Sequence, residues 1–106
     1  MFLVMLIPYK GIGTIITIPT QYPTIQEGIY ASWHGDTVLV APGTYYENID
    51  LSGKNIVLAS EFILTGNSSL ISSTIIDGNN ADRVIIIENG EDITCKIIFK
   101  AGVFTR

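Results

Sequence analysis

The sequence predicts an all-β solenoid of short parallel strands with one short helix near its start. The apolar runs are continuous, as in VLV at residues 38–40 and IVL at residues 56–58, rather than alternating with polar residues. Continuous runs are typical of parallel strands that are crowded on both faces. The stretch DTVLVA at residue 36 also returns as KNIVLA eighteen residues later. A repeat of this kind is typical of solenoids, in which each coil pairs with the next.

The composition is that of one folded domain spanning residues 1–106. Hydrophobic residues make up 47% of the chain and charged residues 15%, which excludes a disordered chain. The net charge is −4 and the few lysines and arginines are scattered, which excludes a nucleic-acid partner. Cys95 is the only cysteine, so no intrachain disulfide can form, and with His34 it supplies too few ligands for structural zinc. No metal or cofactor is predicted.

Residues 1–13 begin with the apolar run MFLVMLI, which ends at Pro8. This run is far shorter than the ~18 residues of a membrane span, so no span is predicted. It also lacks a basic segment and an Ala-x-Ala-like cleavage site. Two interpretations remain open: the remnant of a signal peptide, or an extra capping strand.

The only predicted helix spans residues 24–34. Thr24 and Glu27 match a capping box, with Thr24 as N-cap and Glu27 at N3. Gly35 follows as the residue that ends the helix. One face carries the apolar residues Ile25, Ile29 and Trp33. We expect this face, including Trp33, to be buried against the first coil.

The predicted strands are short segments rich in isoleucine, valine and tyrosine, separated by Gly, Asn, Asp and Pro. A strand at residues 14–18 precedes the helix, and the β coils occupy residues 36–99. Five of the coil strands are predicted at residues 38–40, 54–60, 74–77, 83–89 and 93–99. A further strand is predicted to begin at residue 44. Residues 60–73 are predicted to form a loop that leaves one coil.

Four motifs in this order resemble the opening coils of right-handed parallel β-helix proteins, the pectin-lyase-like superfamily, and especially its secreted bacterial members. The motifs are YPTIQEGI at 22–29, GDTVLVAPGTYYENI at 35–49, KNIVL at 54–58 and TIIDGN at 74–79. The resemblance covers about residues 14–93. It implies a short right-handed parallel β-helix with an N-terminal capping α-helix, and a secreted or cell-surface location.

The segment Gly43-x-Tyr45-x-Glu47 also resembles the element that opens pectin methylesterases. This resemblance implies a corner that positions Tyr45 and Glu47, not a catalytic site. The catalytic part of these esterases, with Gln and Asp on later coils, has no match here, because the only glutamines, Gln21 and Gln26, lie in or before the helix. No catalytic residue is therefore predicted.

Tyr45 and Tyr46 are the candidate substrate-binding residues, because aromatic rings offer an apolar body and a polar tip to sugars. One of two adjacent strand residues must face the core, which competes with this role. The acids Asp50, Glu61, Asp77 and Asp82 lie at strand ends or in turns. They are interpreted as surface acids rather than as a glycosidase pair or as calcium ligands around residues 77–82.

The predicted function is a non-catalytic N-terminal portion of a secreted or cell-surface parallel β-helix protein, serving as a scaffold or as a glycan-contacting surface. The alternative is the N-terminal piece of a polysaccharide-active enzyme, pectin esterase-like or lyase-like, with its catalytic coils beyond Arg106. The expected partner is a polysaccharide. Self-association is also expected through an open C-terminal coil at residues 97–99, which is apolar.

Overall fold

The computed structural model of the protein describes residues 13–79, 84–86, 96–97 and 103–105. The helices are α1 (Ile25–Ala31), α2 (Phe62–Thr65) and α3 (Ser69–Ser72). The strands are β1 (Ile15–Ile18), β2 (Thr37–Val40), β3 (Gly43–Tyr46), β4 (Ile49–Asp50), β5 (Val57–Ser60), β6 (Thr74–Asp77), β7 (Ile85–Ile86), β8 (Lys96–Ile97) and β9 (Val103–Thr105).

The strands form three small parallel sheets with the orders β1-β2-β5-β8, β3-β6-β9 and β4-β7. Every described pairing between strands is parallel. The parallel pairing predicted from the continuous apolar runs is thus confirmed. In β2, Val38, Leu39 and Val40 are all buried, which explains why this run does not alternate.

The predicted fold class, an all-β right-handed parallel β-helix, is wrong. The described part of the chain mixes three helices with parallel strands of only two to four residues, in small sheets, and forms no solenoid. The segment 60–73, predicted as a loop within coils 36–99, instead contains the two short helices α2 and α3 after the end of β5. The cause is local: Gly66 has φ +75°, and its N–H donates to Phe62 O at 2.8 Å, which closes α2.

The eighteen-residue repeat also misplaces the strand register. It aligns Val38 with Ile56, whereas the structure pairs Val38 with Leu58. Successive strand residues point to opposite faces, so a shift of two returns the same type of residue to the same face. Ile56 and Leu58 are both buried, and a pattern match therefore cannot distinguish the two registers.

Helix α1 packs against β1, β2 and β4, with Ile25 and Ile29 completely buried. The structure confirms Thr24 as N-cap, since its Oγ1 accepts the N–H of Glu27 at 3.1 Å. The predicted burial of Trp33 is wrong, because its side chain is 62% exposed. The helix ends at Ala31 with extended backbone at Ser32, so Trp33 leaves the apolar face, and Gly35 lies in the turn beyond.

The core consists of aliphatic side chains from α1, the strands and the segments beside them. Its buried members are Ile16, Ile18, Ile25, Ile29, Val38, Val40, Ile49, Leu51, Ile56, Leu58, Ile76 and Val84. Gly28 brings α1 close to this core: a Cβ atom there would lie 2.7 Å from Ile18 Cδ1. Close packing therefore explains a glycine in the helix interior.

Several predictions fall outside the described residues: the role of residues 1–12, most of the strand at 83–89, Cys95, Asp82, and residues 98–99 of the C-terminal association segment. The described helices include none with the length and apolar character needed to cross a membrane.

Candidate functional site

The N-terminus of α1 is held by a carboxylate from the sheet. Glu47, directly after β3, accepts the N–H of Ile25 through Oε2 at 2.9 Å and the N–H of Gln26 through Oε1 at 3.0 Å. Together with Thr24, it satisfies three of the N–H groups that a helix leaves unpaired at its start. A negative charge at this end also complements the helix dipole.

The C-terminus of α1 is held by a cation. Lys54 Nζ donates to the carbonyl oxygens of Ile29 at 2.9 Å, Tyr30 at 2.8 Å and Ser32 at 2.8 Å. Burial lowers the pKa of Lys54, while the nearby carboxylate of Asp36 opposes that shift. Because Glu47 and Lys54 both come from the chain after β2, they tie the short helix to the strands beneath it.

Asp36 joins the start of β1 to the turn after α1. Its Oδ1 accepts the N–H of Thr14 at 2.9 Å, and its Oδ2 accepts the N–H of Trp33 at 2.8 Å. The carboxylate is buried, so these two bonds replace its hydration. In the next turn, His34 Nδ1 accepts the N–H of Asn55 at 3.0 Å.

Two glutamines complete the outer edges of strands. Gln26 Nε2 donates to Asp50 O at 2.8 Å, and Gln26 Oε1 accepts the N–H of Asp50 at 2.8 Å. Gln21 Oε1 likewise accepts the N–H of Thr17 at 2.8 Å, while the Gln21 N–H donates to Thr17 O at 2.9 Å. Each glutamine thus takes the place of a neighbouring strand, beside β4 and β1 respectively. Sequence reasoning missed this edge-pairing role of the two glutamines, because no local motif indicates it.

The two candidate tyrosines have different surroundings. Tyr45 is half-buried against the core, and its hydroxyl donates to Ala41 O at 2.8 Å. Burial raises the pKa of the Tyr45 phenol, and the negative charges of Glu47 and Glu61 raise it further. Tyr46 is 67% exposed. Tyr45 therefore supports the corner at residues 41–45, and Tyr46 is available at the surface.

Two of the predicted surface acids, Asp50 and Asp77, cap turns. Asp50 Oδ1 accepts the N–H of Ser52 at 2.9 Å, and Asp77 Oδ1 accepts the N–H of Asn79 at 2.8 Å. These are Asx-type turn bonds. Within the part of the chain that the structure describes, no group of three or more His, Cys, Asp or Glu residues could hold a metal ion.

No protein-family model, curated protein or solved structure matches this chain.

Proposed function

We propose that this chain is a non-catalytic scaffold that presents Tyr46 to a glycan. One observation carries the proposal: six ionisable side chains around α1 and β3 are hydrogen-bonded to main-chain groups. These side chains are His34, Asp36, Glu47, Asp50, Lys54 and Asp77.

The bonding of these groups supports a structural role over a catalytic one. A general acid or base must come within hydrogen-bond reach of a substrate proton. For Glu47 this would mean giving up both helix N–H groups, and loss of a capping side chain costs about 1 kcal/mol or more. Lys54 would have to leave three carbonyl oxygens. These hydrogen-bonded charged groups therefore stabilise the fold.

Tyr46 is suited to contact a sugar. Its ring is exposed, and the pairing of β3 with β6 fixes its backbone. Thr44, two residues earlier on the same face of the strand, is also exposed. An aromatic ring can stack on the apolar face of a pyranose while the neighbouring hydroxyl bonds to a sugar hydroxyl.

The charge of the region favours a neutral glycan. Asp77 pairs with Tyr46 across the parallel ladder and lies on the same face of the sheet. The chain as a whole carries −4. Both features repel an acidic polysaccharide and tolerate a neutral one. Such a role belongs to a secreted or cell-surface protein, and that location is part of the proposal.

The test is a titration with neutral and acidic oligosaccharides followed by NMR. A neutral oligosaccharide is expected to shift the amides of β3. Tyr46→Ala is expected to weaken its binding by about two- to tenfold, because an aromatic contact is worth about 0.5–1.5 kcal/mol. Tyr30→Ala is the matched control, since Tyr30 is equally exposed on α1. An acidic oligogalacturonide is expected to bind more weakly.

Equal binding by Tyr46→Ala and wild type would contradict the proposed contact. Turnover of either oligosaccharide by the isolated chain would contradict the non-catalytic role. The alternative function, the N-terminal piece of a polysaccharide-active enzyme, rests on sequence beyond Arg106 and stays a prediction.

A further inference from the structure

The outer edge of β3 offers unused main-chain hydrogen-bonding groups. On the inner side of this strand, the Gly43 N–H donates to Ser73 O at 2.9 Å, and the Glu47 N–H donates to Asp77 O at 3.1 Å. Alternate residues of a strand direct their N–H and C=O groups to opposite sides. The N–H and C=O of Thr44 and Tyr46 therefore face away from β6, at the edge of the sheet β3-β6-β9.

This edge differs from the two comparable edges of the molecule. Gln21 completes the edge of β1 at Thr17, and Gln26 completes the edge of β4 at Asp50. Helix α1 packs against β1, β2 and β4. Among the described residues, no hydrogen bond reaches the outward main-chain groups of Thr44 or Tyr46. An open edge of this kind is a template for another strand.

We propose that β3 pairs in antiparallel orientation with β3 of a second copy of this chain. A two-fold axis beside Tyr45 places Thr44 of one copy opposite Tyr46 of the other. Outward-facing residues in such a pair exchange both N–H···O=C bonds. Two such pairs form, and their four bonds satisfy all four outward N–H groups and all four outward C=O groups of the two strands.

Self-complementarity is the reason to assign a second copy rather than a foreign strand. The strand Gly43–Tyr46 contains no charged residue, so no like charges meet across the axis. The directly opposite side chains are a β-branched threonine and an aromatic ring, a favourable cross-strand pair. The two-fold arrangement pairs the β3 edge of one copy with the β3 edge of the other, so association stops at a dimer. This surface differs from the C-terminal segment expected from the sequence.

Sedimentation over a concentration series tests the proposal. The wild type is expected to convert from monomer to dimer as its concentration rises. Thr44→Pro removes an outward N–H while leaving the ladder to β6 intact, and is expected to weaken association by tenfold or more. Thr44→Val, which keeps the N–H and the β-branched shape, is the matched control and is expected to dimerise like the wild type. A wild type that stays monomeric, or a Thr44→Pro dimer of undiminished stability, would overturn the proposal.

Amide hydrogen exchange of the wild type provides a second readout that needs no variant. The amides of Thr44 and Tyr46 are expected to become protected only at high concentration. The amides of Gly43 and Glu47, already bonded to Ser73 and Asp77, are expected to be protected at every concentration. A dimer that leaves Thr44 and Tyr46 unprotected would place the interface elsewhere and refute the assignment. No glycan is present in these experiments, so their outcome is independent of the proposed function.

Discussion

Adjacent tyrosines on β3 illustrate how one strand position decides the role of a side chain. Tyr45 turns toward the core and uses its hydroxyl to hold Ala41 O across the corner at Pro42. Tyr46 points outward and makes no comparable bond to the main chain among the described residues. The alternation of strand side chains is enough to predict that the two tyrosines differ. It does not say which of them is buried, because that depends on the partner strand β6.

The environment of Tyr45 predicts a loss of stability in alkali. Burial and the charges of Glu47 and Glu61 raise the pKa of its phenol in the folded protein above the ordinary 10.0. The folded state therefore holds this proton more tightly than the unfolded state, and stability is lost as the pH rises from about 10 through the folded pKa. Tyr45→Phe is expected to be less stable than wild type near neutral pH and to lose less on going from about pH 9 to about pH 11.

Urea unfolding at a series of pH values measures this difference. Tyr46→Phe keeps the Tyr45 phenol and is therefore expected to retain the alkaline loss. If Tyr45→Phe lost as much stability as wild type over the same range, ionisation of the Tyr45 phenol would not be the cause of the alkaline loss.

Among the secondary-structure elements, α1 is a helix whose sequence reflects its packing against the strands. A glycine in a helix interior normally costs about 1 kcal/mol relative to alanine. Here Gly28 is buried, and its missing side chain lets the helix approach Ile18 and Val38. The same tight contact explains why so short a helix is ordered, since packing rather than propensity stabilises helices of this length.

The contact between Gly28 and Ile18 predicts a favourable coupling in a double-mutant cycle. Gly28→Ala places a methyl group 2.7 Å from Ile18 Cδ1, inside contact distance, and is expected to destabilise the fold. Ile18→Val removes that Cδ1 atom, at a cost of about 0.5–1.5 kcal/mol by itself. The double variant is expected to be more stable than the sum of the two changes by about 0.5 kcal/mol or more. Chemical denaturation of the four proteins gives the coupling, and strict additivity would show that the helix can move away at no cost.

Across the whole molecule, features set by neighbouring residues could be predicted from the sequence, whereas contacts between distant residues could not. The N-cap at Thr24 is confirmed because the N–H group that it caps, that of Glu27, lies only three residues away. The parallel strands are confirmed because burial on both faces leaves a continuous apolar run. By contrast, Glu47 bonds to Ile25 across 22 residues, and no pattern in the chain marks such a pair. The all-β class failed because the turn chemistry of residues 61–73 closes helical turns, which strand spacing does not reveal.

These long-range bonds predict that α1 unfolds together with the sheets. The helix is joined to the segment after β3 through Glu47, to β4 through Gln26 and to the β4–β5 turn through Lys54. Glu47→Ala leaves two N–H groups without their acceptor and is expected to lower the free energy of unfolding by about 1–2 kcal/mol. Glu27→Ala is the matched control, because this acid is exposed on the same helix. It is expected to change the free energy of unfolding by no more than about 0.5 kcal/mol.

Unfolding of both variants and the wild type should be followed by two probes, the fluorescence of Trp33 beside α1 and the far-ultraviolet circular dichroism of the whole chain. Coincident transitions are expected in all three proteins, since a helix bonded at both ends to the strands cannot leave without them. In Glu47→Ala both transitions should move together to lower denaturant. A fluorescence transition that precedes the dichroism transition in the wild type would show that α1 detaches on its own, and that the bonds of Glu47 and Lys54 stabilise the helix without joining it to the cooperative unit.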